Sequence, residues 1–157
     1  MLLYFLRHAE AEDHGIRASD FERELTKKGQ RQAEKMGGFC AALKTPPELI
    51  LSSPVLRAKQ TAETVAASFD TVEMLLCQWL ACGMNPEVCA EELSAYKQFS
   101  SVLLVGHEPD FSLAIAYFVG LSAENLRIRK ASLTALNSHS LQPTSAQIQF
   151  LLPVQVL

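Results

Sequence analysis

A chain of 157 residues is long enough for one domain with a substantial core and too short for two comfortable ones. Fourteen basic residues against seventeen acidic ones leave a formal net charge of −3, which excludes general attraction to nucleic acid or to a membrane surface. Any affinity for anions must come from local arrangement. The four cysteines, at positions 40, 77, 82 and 89, form neither a CxxC pair nor the framework of a small secreted domain, so reduced thiols in a cytoplasmic protein are expected. The N-terminal apolar stretch lacks a basic leader and is too short to span a bilayer, so Met1 is read as the mature start.

Residues 2–6, Leu-Leu-Tyr-Phe-Leu, are apolar at every position, the pattern of a central parallel strand covered on both faces. Arg7-His8-Ala9 ends that run abruptly, and a polar loop from Ala9 to Leu25 follows, of a length usually reserved for function. Thr26 is a candidate cap for a helix from Lys27 to about Lys44, with Ala33, Met36, Gly37, Cys40 and Leu43 on one buried stripe and Pro46-Pro47 as the stop. Lys27, Arg31 and Lys35 form a basic stripe on the same helix, read as a solvated face.

A short strand, Leu49–Leu51, leads into Ser52-Ser53-Pro54, where Ser53 caps and Pro54 opens a helix reaching about Phe69. Val72–Leu76 reads as a third strand, Asn85-Pro86 as the start of a helix to about Tyr96, and residues 101–105 as a fourth strand ending in Gly106-His107. Asp110–Val119 is apolar nearly all round, a helix buried on the sheet and stopped by Gly120. Residues 132–136 and 147–151 read as two strands around a polar turn at Pro143, an antiparallel addition at the sheet edge. The expected fold is therefore α/β. It is a single three-layer domain over residues 1–157, with a mostly parallel central sheet, helices on both faces and an antiparallel C-terminal edge strand.

The chemistry concentrates on one rim. His8, Ser52-Ser53 and His107 all fall at C-terminal strand ends, where open α/β folds bind their ligands. Arg57 lies in the first turn of the second helix, and helical side chains lean toward the N-terminus, so its guanidinium is aimed back at that rim. Arg7, Arg57 and a helix N-terminus around His8 make a phosphoryl site, since guanidinium groups bind phosphate oxygens through paired donors. Nearby cations disfavour the imidazolium, which leaves one ring nitrogen free to attack. His14 and His139 read as exposed loop residues, and no recognised metal-ligand spacing appears.

Four segments carry a resemblance. Leu6-Arg7-His8-Ala9-Glu10-Ala11, Leu25-Thr26-Lys27-Lys28-Gly29-Gln30-Arg31-Gln32-Ala33, Ser52-Ser53-Pro54-Val55-Leu56-Arg57-Ala58-Lys59-Gln60-Thr61 and Val105-Gly106-His107-Glu108-Pro109 resemble, in this order, the motifs of the histidine phosphatase superfamily. The short chain is similar to its SixA-type phosphohistidine phosphatase branch. The resemblance implies a phosphohistidine intermediate on His8, with Arg7 and Arg57 holding the phosphoryl oxygens and His107 donating to the developing charge. It implies Arg23 as a further phosphate ligand, no metal and no cofactor. The partner it implies is a phosphohistidine-containing protein of a signalling or phosphotransferase system; a monomer is the default oligomeric state.

Two departures matter. Ala9 stands where the superfamily usually has glycine, and the loop Gln78–Asn85, where larger members carry a carboxylic acid, has none. A phosphoramidate needs less general-acid help than an alkyl ester, so the missing acid favours phosphohistidine; Glu108, beside His107, is the remaining candidate acid. The competing readings are a small-molecule phosphomonoesterase or mutase with the same nucleophile, and a catalytically idle phosphoprotein-binding module.

Overall fold

The computed structural model describes all residues, 1–157. Six strands form one sheet: β1 (Leu2–Arg7), β2 (Leu49–Ser52), β3 (Glu73–Leu76), β4 (Ser101–Gly106), β5 (Leu133–Ser138) and β6 (Ala146–Leu152). Their spatial order is β3-β2-β4-β1-β5-β6. The first four are parallel, β5 runs antiparallel to β1, and β6 antiparallel to β5 at the edge. Four helices connect them: α1 (Lys27–Ala41), α2 (Leu56–Ala66), α3 (Pro86–Leu93) and α4 (Asp110–Val119).

The continuous apolar runs of β1 and β4 are explained by the layers they separate. Tyr4, Leu6, Ile50, Leu103 and Val105 point to one face and pack with Ala33, Met36 and Cys40 of α1 and Ala58, Ala62 and Val65 of α2. Leu3, Phe5, Leu51, Val102 and Leu104 point to the other and meet Leu93 of α3 with Phe111, Ile115 and Phe118 of α4. A period-2 strand with both faces covered must be apolar at every position. The chain steps from β1 to β2 to β3 in one direction and then reverses to insert β4. With right-handed crossovers, that reversal sends α3 to the opposite face from α1 and α2.

Element ends differ from expectation by a few residues. Helix α1 stops at Ala41 rather than Lys44, because the prolines at 46 and 47 require extended backbone before them. Helix α2 starts at Leu56 rather than Pro54. The Ser53 hydroxyl accepts from the Val55 amide at 3.2 Å, which holds residues 53–55 in a turn before the first helical residue. Helix α3 ends at Leu93 and gives way to a 3-10 turn over Ser94–Tyr96. Thr26 and Asn85 cap as expected, and Gly120 ends α4 in the left-handed conformation, φ +81°. No helix is long and apolar enough to cross a membrane.

Candidate active site

β1 and β4 are neighbours paired from Leu2↔Ser101 to Arg7↔Gly106, so the residues after each strand, His8 and His107, emerge side by side. Their ring centroids are 5.4 Å apart. The connection after β1 runs to the α1 face and that after β4 to the α4 face, which makes this rim the switch point of the sheet. The sheet thus brings together two histidines separated by 99 positions in the chain, continuing the β1–β4 register one step.

The state of His8 follows from its partners. Nδ1 lies 2.8 Å from the Ala9 carbonyl oxygen, which can only accept, so Nδ1 carries the proton. Nε2 accepts from Arg57 Nε at 3.3 Å and therefore presents its lone pair. Burial depresses the pKa of His8 to about 3, with smaller contributions from His107, Arg57 and Arg7 opposing protonation. The sequence reading assigned this to the neighbouring cations; removal from water is the larger cause. His107 is likewise depressed, to about 4, by burial first and then by Arg57. Its Nε2 is 2.8 Å from Ser53 Oγ. That oxygen also accepts from the Val55 amide at 3.2 Å. Nδ1 of His107 is buried without a hydrogen-bond partner.

Arg57 reaches the rim as its helix position predicts and is 4% exposed. Besides His8, it donates from Nη1 to the Asp20 carbonyl at 2.9 Å and from Nη2 to Cys82 Sγ at 3.5 Å. Thr61, one turn later, accepts from the Ala9 amide at 3.1 Å and donates to the Arg57 carbonyl at 2.7 Å. This buried hydroxyl ties the backbone beside His8 to the helix that carries the guanidinium. Arg7 spends Nη1 on the Ile128 carbonyl at 2.9 Å, and its Nε is buried without a partner. Two polar nitrogens that flank His8 in sequence or in space, Arg7 Nε and His107 Nδ1, are thus desolvated and unpaired, a costly arrangement in a native protein unless a ligand uses them.

The first loop holds the residue that sequence reasoning missed. A bridge between Ala11 and Leu25 pins its base, and a short 3-10 turn, Asp20–Glu22, brings Asp20 among the cations. Its carboxylate accepts from Arg23 Nε at 2.7 Å, pairs with Arg57 Nη2 at 3.2 Å and touches His14 Nδ1 at 2.9 Å. Burial alone would raise its pKa, but the Arg23 hydrogen bond and the charges of Arg57, Arg23 and His14 outweigh it and the net shift is downward. Arg23, 8% exposed, also donates to the Glu12 carbonyl at 2.6 Å. The i, i+3 spacing of Asp20 and Arg23 was the one available signal for the ion pair. Their approach to Arg57 depends on a loop whose path no local rule specifies. His14, read as a plain loop residue, is exposed but belongs to this cluster.

Glu108 behaves differently. Oε2 accepts from Ser112 Oγ at 2.7 Å, Oε1 is buried without a partner, and burial raises the pKa of the carboxyl. Two carboxylates with environments of opposite sense stand near the histidine pair: Asp20 held ionised, Glu108 biased toward the acid form. The loop Gln78–Asn85 contributes no carboxylate but does supply Cys82. No cluster of three or more His, Cys, Asp and Glu side chains is arranged to hold a metal ion.

Residues 3–80 match the sequence profile of the histidine phosphatase superfamily, branch 1. The chain belongs to the histidine phosphatase superfamily. An uncharacterized protein from Picosynechococcus sp. is 34% identical over 143 residues, spanning 88% of this chain and 86% of that one. Among solved structures, the protein histidine phosphatase SixA complexed with tungstate superposes with a TM-score of 0.86 at 22% identity, over 99% of both chains. The α-ribazole phosphatase of Shigella flexneri gives a TM-score of 0.78 at 19% identity, over 98% of this chain and 97% of that one. The fold is thus shared by enzymes named for different substrates.

Proposed function

We propose that this member of the superfamily is a metal-independent phosphatase that hydrolyses phosphohistidine on a protein through a phosphoenzyme on His8. The observation that carries the reading is the state of His8: buried, uncharged, its proton on Nδ1 held by Ala9, and its Nε2 lone pair facing Arg57. Such a nitrogen is an activated nucleophile that needs no separate base. In the first step Nε2 forms a bond to phosphorus while the bond to the substrate imidazole breaks; the electron pair leaves with that nitrogen, and the substrate ring, protonated at its other nitrogen, departs as neutral imidazole. Arg57, Arg7 and His107 stabilise the charge on the transferring oxygens. Water then attacks phosphorus, the His8 bond breaks, and inorganic phosphate is released.

The SixA protein histidine phosphatase, alike over its whole length, supports phosphohistidine as the substrate class. A second reading, hydrolysis of a phosphate ester, is favoured by the raised carboxyl of Glu108 with its unpartnered Oε1, the form a general acid requires. The test is phosphoryl trapping with a phosphohistidine protein. An acid-labile, base-stable phosphoenzyme is expected in the wild type and absent in His8→Ala; wild-type turnover by that variant defeats the mechanism. Side-by-side turnover of phosphohistidine and phosphoglycerate separates the two substrates, and a marked preference for the ester reverses the choice.

A further inference from the structure

The site is closed by one of its own side chains. His8 is 5% exposed and His107 2%, and the Arg57 guanidinium that any phosphoryl group on His8 must engage is already occupied. Its Nε is on His8, its Nη1 on the Asp20 carbonyl and its Nη2 on the Asp20 carboxylate and Cys82. Arg23 is committed to the same carboxylate. A carboxylate bridging two guanidinium groups imitates the charge and the planar, paired contacts of a bound phosphate. Meanwhile Asp20 stays 43% exposed, and residues 13–17 and 20–22 of its loop are exposed, so it is free to swing out without opening the core.

We propose that Asp20 is an internal counter-anion of the phosphoryl cradle: it holds Arg57 and Arg23 in the free enzyme, is exchanged for the phosphoryl group when substrate binds, and competes with product phosphate for the same donors. This rests on the phosphoryl-site reading above and adds the residue that sets phosphate affinity. An ionised carboxylate kept beside the site opposes a dianion by like charge and by occupying its donors, which speeds phosphate release at the expense of affinity.

The experiment is calorimetric titration of inorganic phosphate into wild type, Asp20→Asn and Asp20→Ser at pH 7, with phosphate inhibition of turnover measured on the same samples. The half-exposed position makes both variants compatible with folding, which circular dichroism checks. Phosphate is expected to bind both variants at least about fivefold more tightly, with KM and the phosphate inhibition constant falling together. Equal or weaker binding in the variants overturns the proposal and makes Asp20 a mere brace for the arginines. Failure of all three proteins to bind phosphate instead overturns the phosphoryl-site reading itself.

Discussion

Acidification from pH 7 to pH 5 should cost this fold about 4 kcal/mol through two residues. His8 and His107 are held uncharged in the native state, with pKa values near 3 and 4 against an ordinary 6.5. Between those values and 6.5 the unfolded chain binds protons that the folded chain refuses, so stability rises with pH and levels off above 6.5. At pH 5 both native pKa values lie below the ambient pH. Each histidine then costs RT ln(1 + 10^1.5), about 2 kcal/mol, and about 0.2 kcal/mol at pH 7. Against a typical total stability of about 5–15 kcal/mol this is a large fraction. The lowered carboxylates Glu12 and Asp20 also withdraw stability on acidification, but mainly below their ordinary range near 4. Glu108, raised by burial, acts in the opposite sense. Urea titrations followed by circular dichroism at pH 7, 6 and 5 measure the loss, and the double variant His8→Asn, His107→Asn isolates the histidine share because it keeps the carboxylates. Its stability should be nearly flat over this range. If wild type and double variant lose the same amount, the histidines are not held neutral by burial and the account of the nucleophile fails with it.

Other consequences follow from single contacts. Arg57→Ala should lower kcat/KM on an aryl phosphate by about 10²–10³-fold, the scale for losing a preorganised donor, and Arg57→Lys should not restore it, because one ammonium cannot serve His8 and a phosphoryl oxygen through a fixed fork. Gly29→Ala places a Cβ 1.8 Å from the Glu10 carbonyl oxygen, an overpacking cost of about 1–3 kcal/mol. Gly38→Ala, in the same helix with nothing within 4 Å, should gain about 0.5–1 kcal/mol from helix propensity; thermal melts compare the two, and equal effects would refute the clash. Thr61→Val leaves the Ala9 amide unpaired beside the nucleophile, so it should lose about 1–3 kcal/mol of stability and lower kcat more than KM in steady-state assays. Ser53→Ala removes the hydrogen bond to His107 Nε2; nitrogen NMR of the imidazole should report a mixed tautomer, while an unchanged spectrum would mean Ser53 does not set it.

How much was legible in the chain differs between local and long-range features. The all-apolar runs 2–6 and 102–105 announced buried parallel strands, because a sheet covered on both faces tolerates such runs. The caps Thr26 and Asn85 and the stop at Gly120 depend on neighbours within four residues and were readable for that reason. The resemblance singled out Arg7-His8, Arg57 and His107, and the structure brings His8, Arg57 and His107 together at one rim. The start of α2 was misplaced because Ser53 serves a histidine 54 positions away as well as its own turn.

By itself, then, the sequence determined the layer architecture, the rim where the two histidines meet and the family, since each rests on periodicity, capping or contiguous motifs. Tertiary structure alone decided the protonation and the access of the site. Burial, more than the neighbouring cations, keeps His8 and His107 neutral, and burial is a property of the packed layers. The carboxylate that engages Arg57 is Asp20, delivered by a loop whose path is set by contacts to Arg57 and Arg23, side chains that share a site only after the sheet has closed.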